Sequence, residues 1–288
     1  METMGSESAG ELLERTKDYL FDRSMPGALM TGFEGLDLVT GGFNKGELIC
    51  IAGRPAMGKT GFALSMIEKI CIEQGKCCLY FSVNSPGTVL LKRLISTVAC
   101  EDRLEYRKDV MDIPYIRQAF EDIKVAPLYI NDMCFIDIDR MRDFCMNLNK
   151  ELPKELPIDL IVVDDYQSLR PGKEMKDGTG DGYRICGLKQ IAMDFNCPVV
   201  VLSQVTRNPE NRKDHHPRLS DIRDHGETEI YADKILFIYR DEYYYEDTER
   251  KGVADIDVAK NHMGSIGTVL FGFLPWGGFA ELRMYDCE

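Results

Sequence analysis

Tryptophan occurs once in the 288 residues, histidine four times, and no two cysteines are spaced CxxC. The ten cysteines are scattered, with only Cys77 and Cys78 adjacent. That spacing excludes a zinc ribbon or a thioredoxin-type motif, and free thiols in a reducing cytoplasm are expected. The histidines stand at 215, 216, 225 and 262 and follow no metal-ligand pattern, so a polar loop is their expected home. No apolar run approaches the roughly 20 residues of a helical membrane span, and a membrane is not an expected partner. Residues 1–23 are acidic and polar, unlike a secretory signal. Basic residues are outnumbered 35 to 48, a net charge of −13. That balance excludes a uniformly basic coat for nucleic acid but leaves room for a local basic lining. What is present is ordinary globular material, 44% hydrophobic and 29% charged, which excludes a largely disordered chain. The length suits one large α/β domain or two small ones.

Residues 11–22 place Leu12, Leu13, Thr16, Tyr19 and Leu20 on one helical stripe. A single short amphipathic helix does not stay folded alone, so it must dock on something. Ser24, Pro26 and Gly27 break the pattern as a hinge. Residues 1–28 are therefore expected to be a docking helix and hinge, and 29–288 the main domain. There, apolar strand-like runs (48–52, 79–83, 128–130, 158–163, 199–202 and 235–239) alternate with helical periods. Two helical stripes stand out, Phe62 to Cys71 and Ile185 to Phe195. Strands apolar on both faces and separated by helices predict a largely parallel, twisted sheet with helices on each side. Beyond about residue 235 the helical periods stop. Segments 253–259, 267–274 and 279–285 read as antiparallel strands at one edge. Pro171 to Gly182, rich in Gly, Lys and Asp, reads as a mobile loop.

Gly53-Arg54-Pro55-Ala56-Met57-Gly58-Lys59-Thr60 fits G-x-x-x-x-G-K-[ST] in full. It follows an apolar strand and opens a helix, the context that gives the motif its meaning. Glycines let the backbone wrap phosphates, the amides and helix N-terminus face the negative charge, Lys59 reaches the outer phosphates, and the Thr60 hydroxyl suits Mg²⁺. A nucleoside triphosphate, ATP or another NTP, with Mg²⁺ is the expected ligand. The second carboxylate such a site needs is supplied at the end of Ile158 to Asp165, where Asp164 is the metal-site choice and Asp165 its neighbour.

With these blocks in place, the sequence resembles the C-terminal motor domain of the DnaB-like replicative helicases, a RecA-fold family of rings. The resemblance runs from about Thr31 to the C-terminus. It is carried by Thr31-Gly32-Phe33 with Leu36-Asp37 and Gly41-Gly42-Phe43, by Arg54 to Thr60, by Val163-Asp164-Asp165-Tyr166-Gln167, and by Val200-Val201-Leu202-Ser203-Gln204 with Arg207. Asp221 to Gly226, Ala232-Asp233 and Phe237 to Glu242 follow in order. The resemblance implies a RecA-like P-loop NTPase fold and a ring, usually hexameric, that threads single-stranded DNA and holds ATP between subunits. Gln204 is the implied γ-phosphate sensor. Lys260 and the position of His262 face a neighbour's nucleotide, and Arg240 is a further candidate for that role. Arg223, Asp224 and Gly226 fall on the implied DNA loop. Across 203–225, Arg207, Arg212, Lys213, Arg218 and Arg223 face Glu210, Asp214, Asp221 and Asp224, five basic minus four acidic, or +1 in a chain of −13. A solvated loop would show the same balance. The 170–182 segment is a second candidate pore lining. Residues 11–22 suit docking on a neighbour or on their own domain. With the P-loop starting at residue 53, the family's separate primase-binding N-terminal domain is not expected here.

Two departures bear on chemistry. Asn84 stands where the family carries a water-activating glutamate, and His262 where it carries an arginine that reaches the neighbour's γ-phosphate. Asn accepts no proton at neutral pH, and losing a general base costs ~10²–10⁴-fold in rate. His lacks the arginine fork, worth ~10³–10⁵. Three readings follow. The chain is a slow helicase with a relocated base, for which Asp165 is the candidate although strand alternation turns it away from Asp164. Or it is a nucleotide-gated DNA-binding or regulatory subunit that joins a loader or a full-length helicase. Or it is a KaiC- or RadA-like ATPase. Attenuated hydrolysis is the expectation. Tyr243-Tyr244-Tyr245 suit either base stacking or a half-buried interface cluster, and Trp276 is expected under the sheet edge.

Overall fold

Leu48–Gly53 is buried along its whole length and forms β1, the strand around which the sheet is built. The computed structural model describes residues 8–10, 13, 27–101, 110–170, 180–222 and 226–282. Except for Leu13, the stripe expected over 11–22 lies outside the described residues.

In chain order the main elements are α1 (Glu34–Thr40), β1, α2 (Lys59–Ile67), β2 (Cys78–Ser82), α3 (Gly87–Ala99), α4 (Pro114–Val125), β3 (Leu128–Asn131), α5 (Ile138–Glu151), β4 (Leu160–Asp164), α6 (Gly180–Phe195), β5 (Val199–Gln204), α7 (Glu227–Tyr231), β6 (Lys234–Tyr239), β7 (Val253–Asn261), β8 (Gly267–Phe273) and β9 (Phe279–Glu281). A π-helical turn, Glu68–Glu73, continues α2. The nine strands form one sheet in the order β3-β2-β4-β5-β1-β6-β7-β8-β9. The first six in that order run parallel, while β7, β8 and β9 are antiparallel, as the edge pattern predicts.

Strand alternation divides the core into two layers. Ile49, Ile51, Tyr80, Val162, Leu202 and Leu236 face the α2 and α3 side with Phe62, Met66 and Leu90. Leu48, Cys50, Phe81, Val163, Val201 and Phe237 face the α5 and α6 side with Met141, Ile185 and Leu188. At the lower end of β6, Lys234 is fully buried and its ammonium donates to Glu47, whose carboxylate also accepts from Asn44 N and Nδ2 at 2.8 and 2.9 Å.

Two local expectations change. The loop expected over 171–182 is shortened, because α6 already begins at Gly180. Its first turn runs past the apolar stripe to meet α7, and a Cβ on Gly182 would stand 3.0 Å from the Glu227 carboxyl carbon. Trp276 does not lie under the sheet edge. It sits half-buried in the β8–β9 turn, beside the first turn of α2, lining a cavity with Thr60 and Gly61. That turn packs so closely that a Cβ on Gly61 would fall 1.9 Å from the Gly277 carbonyl oxygen.

Candidate nucleotide site

The P-loop leaves the C-terminal end of β1, between β5 and β6, where the order of connections reverses and a crevice opens in an open α/β sheet. Positive φ at Ala56 (65°) and Gly58 (98°) curls the loop, and Met57 is buried beneath it. A Cβ on Gly58 would stand 2.8 Å from the Phe279 ring, so this position requires glycine for space as well as for φ. Lys59 Nζ donates to Gly53 O (3.0 Å) and Arg54 O (3.2 Å). Burial lowers the Lys59 pKa, and the carboxylates of Asp164 and Asp165 oppose that shift.

Register brings the acidic side into place. Ser82 pairs with Asp164 across β2 and β4, and Gly53 pairs with Gln204 across β1 and β5. Thr60 Oγ1 donates to Asp164 Oδ2 at 2.7 Å, and the Tyr80 hydroxyl donates to the same oxygen at 3.0 Å. Burial raises the Asp164 pKa, against the two hydrogen bonds. Tyr80 is completely buried; burial and the Asp164 charge push its phenol well up, so it remains a donor. Hard oxygen ligands from Thr60 and Asp164 suit Mg²⁺, which takes one or two protein oxygens and completes its shell with phosphate and water. Among the described residues no cluster of three or more His, Cys, Asp or Glu could hold a metal without such help.

Sequence reasoning misses Tyr80 as a site residue, although a lone hydroxyl inside an apolar strand beside the acidic one is an available signal. Replacing it by phenylalanine is expected to remove a charge-assisted hydrogen bond of about 1.5–3 kcal/mol. The Mg²⁺ concentration needed for half-maximal ATP binding should then rise about tenfold, with metal-free binding unchanged. An unchanged Mg²⁺ titration would remove Tyr80 from the site.

On the γ-phosphate side, Gln204 Nε2 donates to Asp165 Oδ2 at 3.0 Å, and Gln204 N donates to Gln167 Oε1 at 3.2 Å. Asn84 Nδ2 donates to Ser168 Oγ at 2.7 Å, and Ser168 Oγ donates to Asp165 Oδ1 at 2.6 Å. Asp165 is therefore turned into this cluster, contrary to simple alternation, because β4 ends at Asp164 and Asp165 caps the turn Tyr166–Ser168. Ser168, three residues beyond an aspartate, carries the spacing of a local side-chain turn.

Arg240 lies against its own chain's P-loop. Its guanidinium carbon sits 3.4 Å from the Phe273 ring centroid, and Nη1 donates to Ala56 O at 3.2 Å. A cavity of about 370 Å³ beside it is lined by Ala56, Lys59, Gly61, Arg93, Phe273 and Trp276, a volume that suits a nucleoside. Arg54 pairs with Glu210 and donates to Val205 O at 3.2 Å, and with Pro55, Gln204 and Arg207 it lines a second cavity of about 480 Å³.

Lys260 and His262 lie elsewhere. Lys260 pairs with Ile235 near the start of β6, four residues from Tyr239, or about 13 Å along the strand. They stand at the opposite end of the sheet from their own P-loop. Lys260 Nζ donates to Glu229 O (2.6 Å) and Ala232 O (2.7 Å), and its pKa is lowered by burial, opposed by Asp233 and Glu229. His262 Nδ1 is 3.6 Å from Asp233 Oδ1.

In the basic segment, Arg207 and Lys213 are exposed, whereas Arg212 is committed to a bidentate pair with the buried Asp221 at 2.6 Å. Gly226 (φ 92°) opens α7, while Arg223, Asp224 and His225 lie outside the described residues, as does 171–179 of the other candidate pore segment. His215 and His216 do not sit in a bare polar loop. They stack on Tyr244 and Tyr239 with ring centroids 4.3 and 3.7 Å apart, and Tyr245 OH donates to Lys213 O at 2.7 Å. Those aromatic rings fasten the segment to the start of the edge strands.

This arrangement of P-loop, strand-end acid and γ-side glutamine has counterparts. Residues 28–277 match the family model described as the DnaB-like helicase C terminal domain. The chain belongs to that family. Its members among curated proteins include the replicative DNA helicase DnaB of Geobacillus stearothermophilus, 32% identical over 89% of this chain and 57% of that protein. The DnaB of Pasteurella multocida is 34% identical over 91% of this chain and 56% of its own length. This DnaB-like chain thus spans a little over half the length of the curated relatives it matches. Among solved structures, an isolated ATPase domain superposes with a TM-score of 0.87 at 27% identity, covering 97% of this chain and 100% of that one. A DnaB-like replicative helicase studied with its primase interactions gives 0.84 at 27% identity, over 97% of this chain and 68% of that one. The nine-stranded sheet is a RecA-like ATPase fold. Among the described residues of this DnaB-like domain, no helix is long and apolar enough to cross a membrane.

Proposed function

We propose that this DnaB-like domain is the ATP- and Mg²⁺-binding motor of a cytoplasmic replicative DNA helicase, working in a ring on single-stranded DNA. The observation that carries the reading is the split site. Lys59, Thr60, Asp164 and Gln204 gather at one end of the parallel strands, while Lys260 and His262 stand at the other end, out of reach of their own P-loop. A complete site therefore takes its last cations from a neighbouring copy. Gly53 to Thr60 cradle the phosphates, Thr60 and Asp164 hold the metal, and Gln204 reads the γ-phosphate. Arg240, Phe273 and Trp276 border the nucleoside. Arg207, Lys213, Arg223 and the Gly226 turn face the DNA, with Asp224 beside them and Arg212 acting through its pair with Asp221.

Hydrolysis is slow in this reading, since neither Asn84 nor His262 supplies what a glutamate and an arginine would. The same two residues favour a second reading, a nucleotide-gated DNA-binding or regulatory subunit that closes on ATP and joins a loader or a full-length helicase. Family membership weighs against a KaiC- or RadA-like ATPase. A primase is a candidate partner, since the solved relative was studied with one.

Sedimentation with a non-hydrolysable ATP analogue and single-stranded DNA tests the ring. A hexamer is expected. With Lys213 neutralising one phosphate, Lys213→Ala should lower the slope of log affinity against log salt by about 0.7. A monomer under all conditions would undo the ring, and an unchanged salt slope would remove that loop from the DNA path.

A further inference from the structure

Hydrolysis of ATP by water requires a proton acceptor beside the attacking oxygen. Two carboxylates act on the Lys59 ammonium from nearby, those of Asp164 and Asp165. Asp164 turns Oδ2 toward Thr60 and Tyr80, the side suited to metal. The amide of Asn84 is no proton acceptor. We propose that Asp165 is the general base of this site, held in place by Ser168 and Asn84; this rests on the ATP-hydrolysing reading above.

The geometry is specific to this chain's own residues. Asp165 Oδ1 accepts from Ser168 Oγ at 2.6 Å and Ser168 N at 3.1 Å, while Ser168 Oγ accepts from Asn84 Nδ2 at 2.7 Å. One carboxylate oxygen is thereby fixed from two directions. The other, Oδ2, accepts from Gln204 Nε2 at 3.0 Å and retains a lone pair for a second donor. Asp165 is 5% exposed, yet among the described residues these partners are neutral donors and none is a cation paired to it within salt-bridge distance. A nearly buried carboxylate without such a partner is costly unless it serves a purpose. Its second oxygen shares a hydrogen bond with the glutamine assigned to the γ-phosphate, so a water held there has its acceptor and its electrophile on the same side.

In the step, the water oxygen forms a bond to the γ-phosphorus. The bond from that phosphorus to the bridging oxygen breaks, its electron pair staying on ADP. The water proton passes to Asp165 Oδ2 and is later released to solvent. The products are ADP and inorganic phosphate. Gln204 swings with the γ-phosphate and aligns the water by its amide. Asn84 acts only as a positioning residue, through Ser168.

Steady-state ATP hydrolysis with single-stranded DNA, measured alongside binding of a fluorescent ATP analogue, tests this in wild type, Asp165→Asn, Asn84→Glu and the double variant. Asp165→Asn should lower kcat by ~10²–10⁴-fold with analogue binding within about threefold of wild type, and adding Asn84→Glu should restore turnover. Ser168→Ala, which leaves the carboxylate in place, should lower kcat about tenfold at unchanged KM, and keeps the test alive if Asp165→Asn fails to fold. Near-normal turnover by a folded Asp165→Asn would overturn the proposal. So would equal loss of binding and turnover. Wild type that binds ATP but turns over only after Asn84→Glu would also overturn it, while leaving the nucleotide-binding reading intact. Wild type that binds no ATP would sink that reading itself.

Discussion

Lys59→Ala is expected to cost about 2–5 kcal/mol of ATP affinity, roughly thirtyfold or more, because it removes the one ammonium that the loop directs at the phosphates. In the structure Nζ donates to the carbonyls of Gly53 and Arg54, so the side chain already points along the inside of the loop. Its charge also stands between the loop and the Asp164 and Asp165 carboxylates. Removing it leaves two buried acids facing the triphosphate without a counter-charge. Trp276, the only tryptophan in the chain, lines the adjoining cavity, so its fluorescence is the natural readout. Unchanged affinity with an unchanged melting temperature would mean that nucleotide binds elsewhere.

Lys234→Met should be the most damaging single change away from the site. Lys234 is fully buried, and its ammonium donates to Glu47 at the bottom of the sheet. Cutting one partner out of a buried pair strands the other charge, at a cost of about 3–5 kcal/mol. Asn44 still donates twice to Glu47, but hydrogen bonds alone do not replace a counter-ion. With 1 kcal/mol worth about 2–4 °C in a domain of this size, the melting temperature should fall by roughly 6–20 °C. Removing both charges together, as Lys234→Met with Glu47→Leu, should recover most of that loss. A single variant that melts like wild type would show that the pair is open to water in solution.

Much of the fold is legible because its signals are local. The doubly apolar runs and the helical stripes between them suffice for a parallel sheet, and the loss of helical period after residue 235 for the antiparallel edge. Strand order is not legible, since apolar strands buried on both faces carry nothing that distinguishes one neighbour from another. Within the site, Thr60 and Asp164 are readable from motif and context, and they do meet. Strand alternation misplaces Asp165, because it lapses where β4 ends and the chain turns. Charge counting over 203–225 does not reveal that Arg212 is spent on Asp221, because composition is silent about pairing. The histidines likewise give no hint of the tyrosines they stack on, nearly thirty residues away for His215 and Tyr244. Tyr80 and Trp276 become site residues only through register and a turn, both of them tertiary facts.

The most direct measurement is steady-state ATP hydrolysis by the wild-type chain with and without single-stranded DNA. A slow rate that DNA stimulates, and that Lys59→Ala abolishes, is the predicted result for a DnaB-like motor with an altered base. A rate indifferent to DNA, or one that survives Lys59→Ala, would contradict the account.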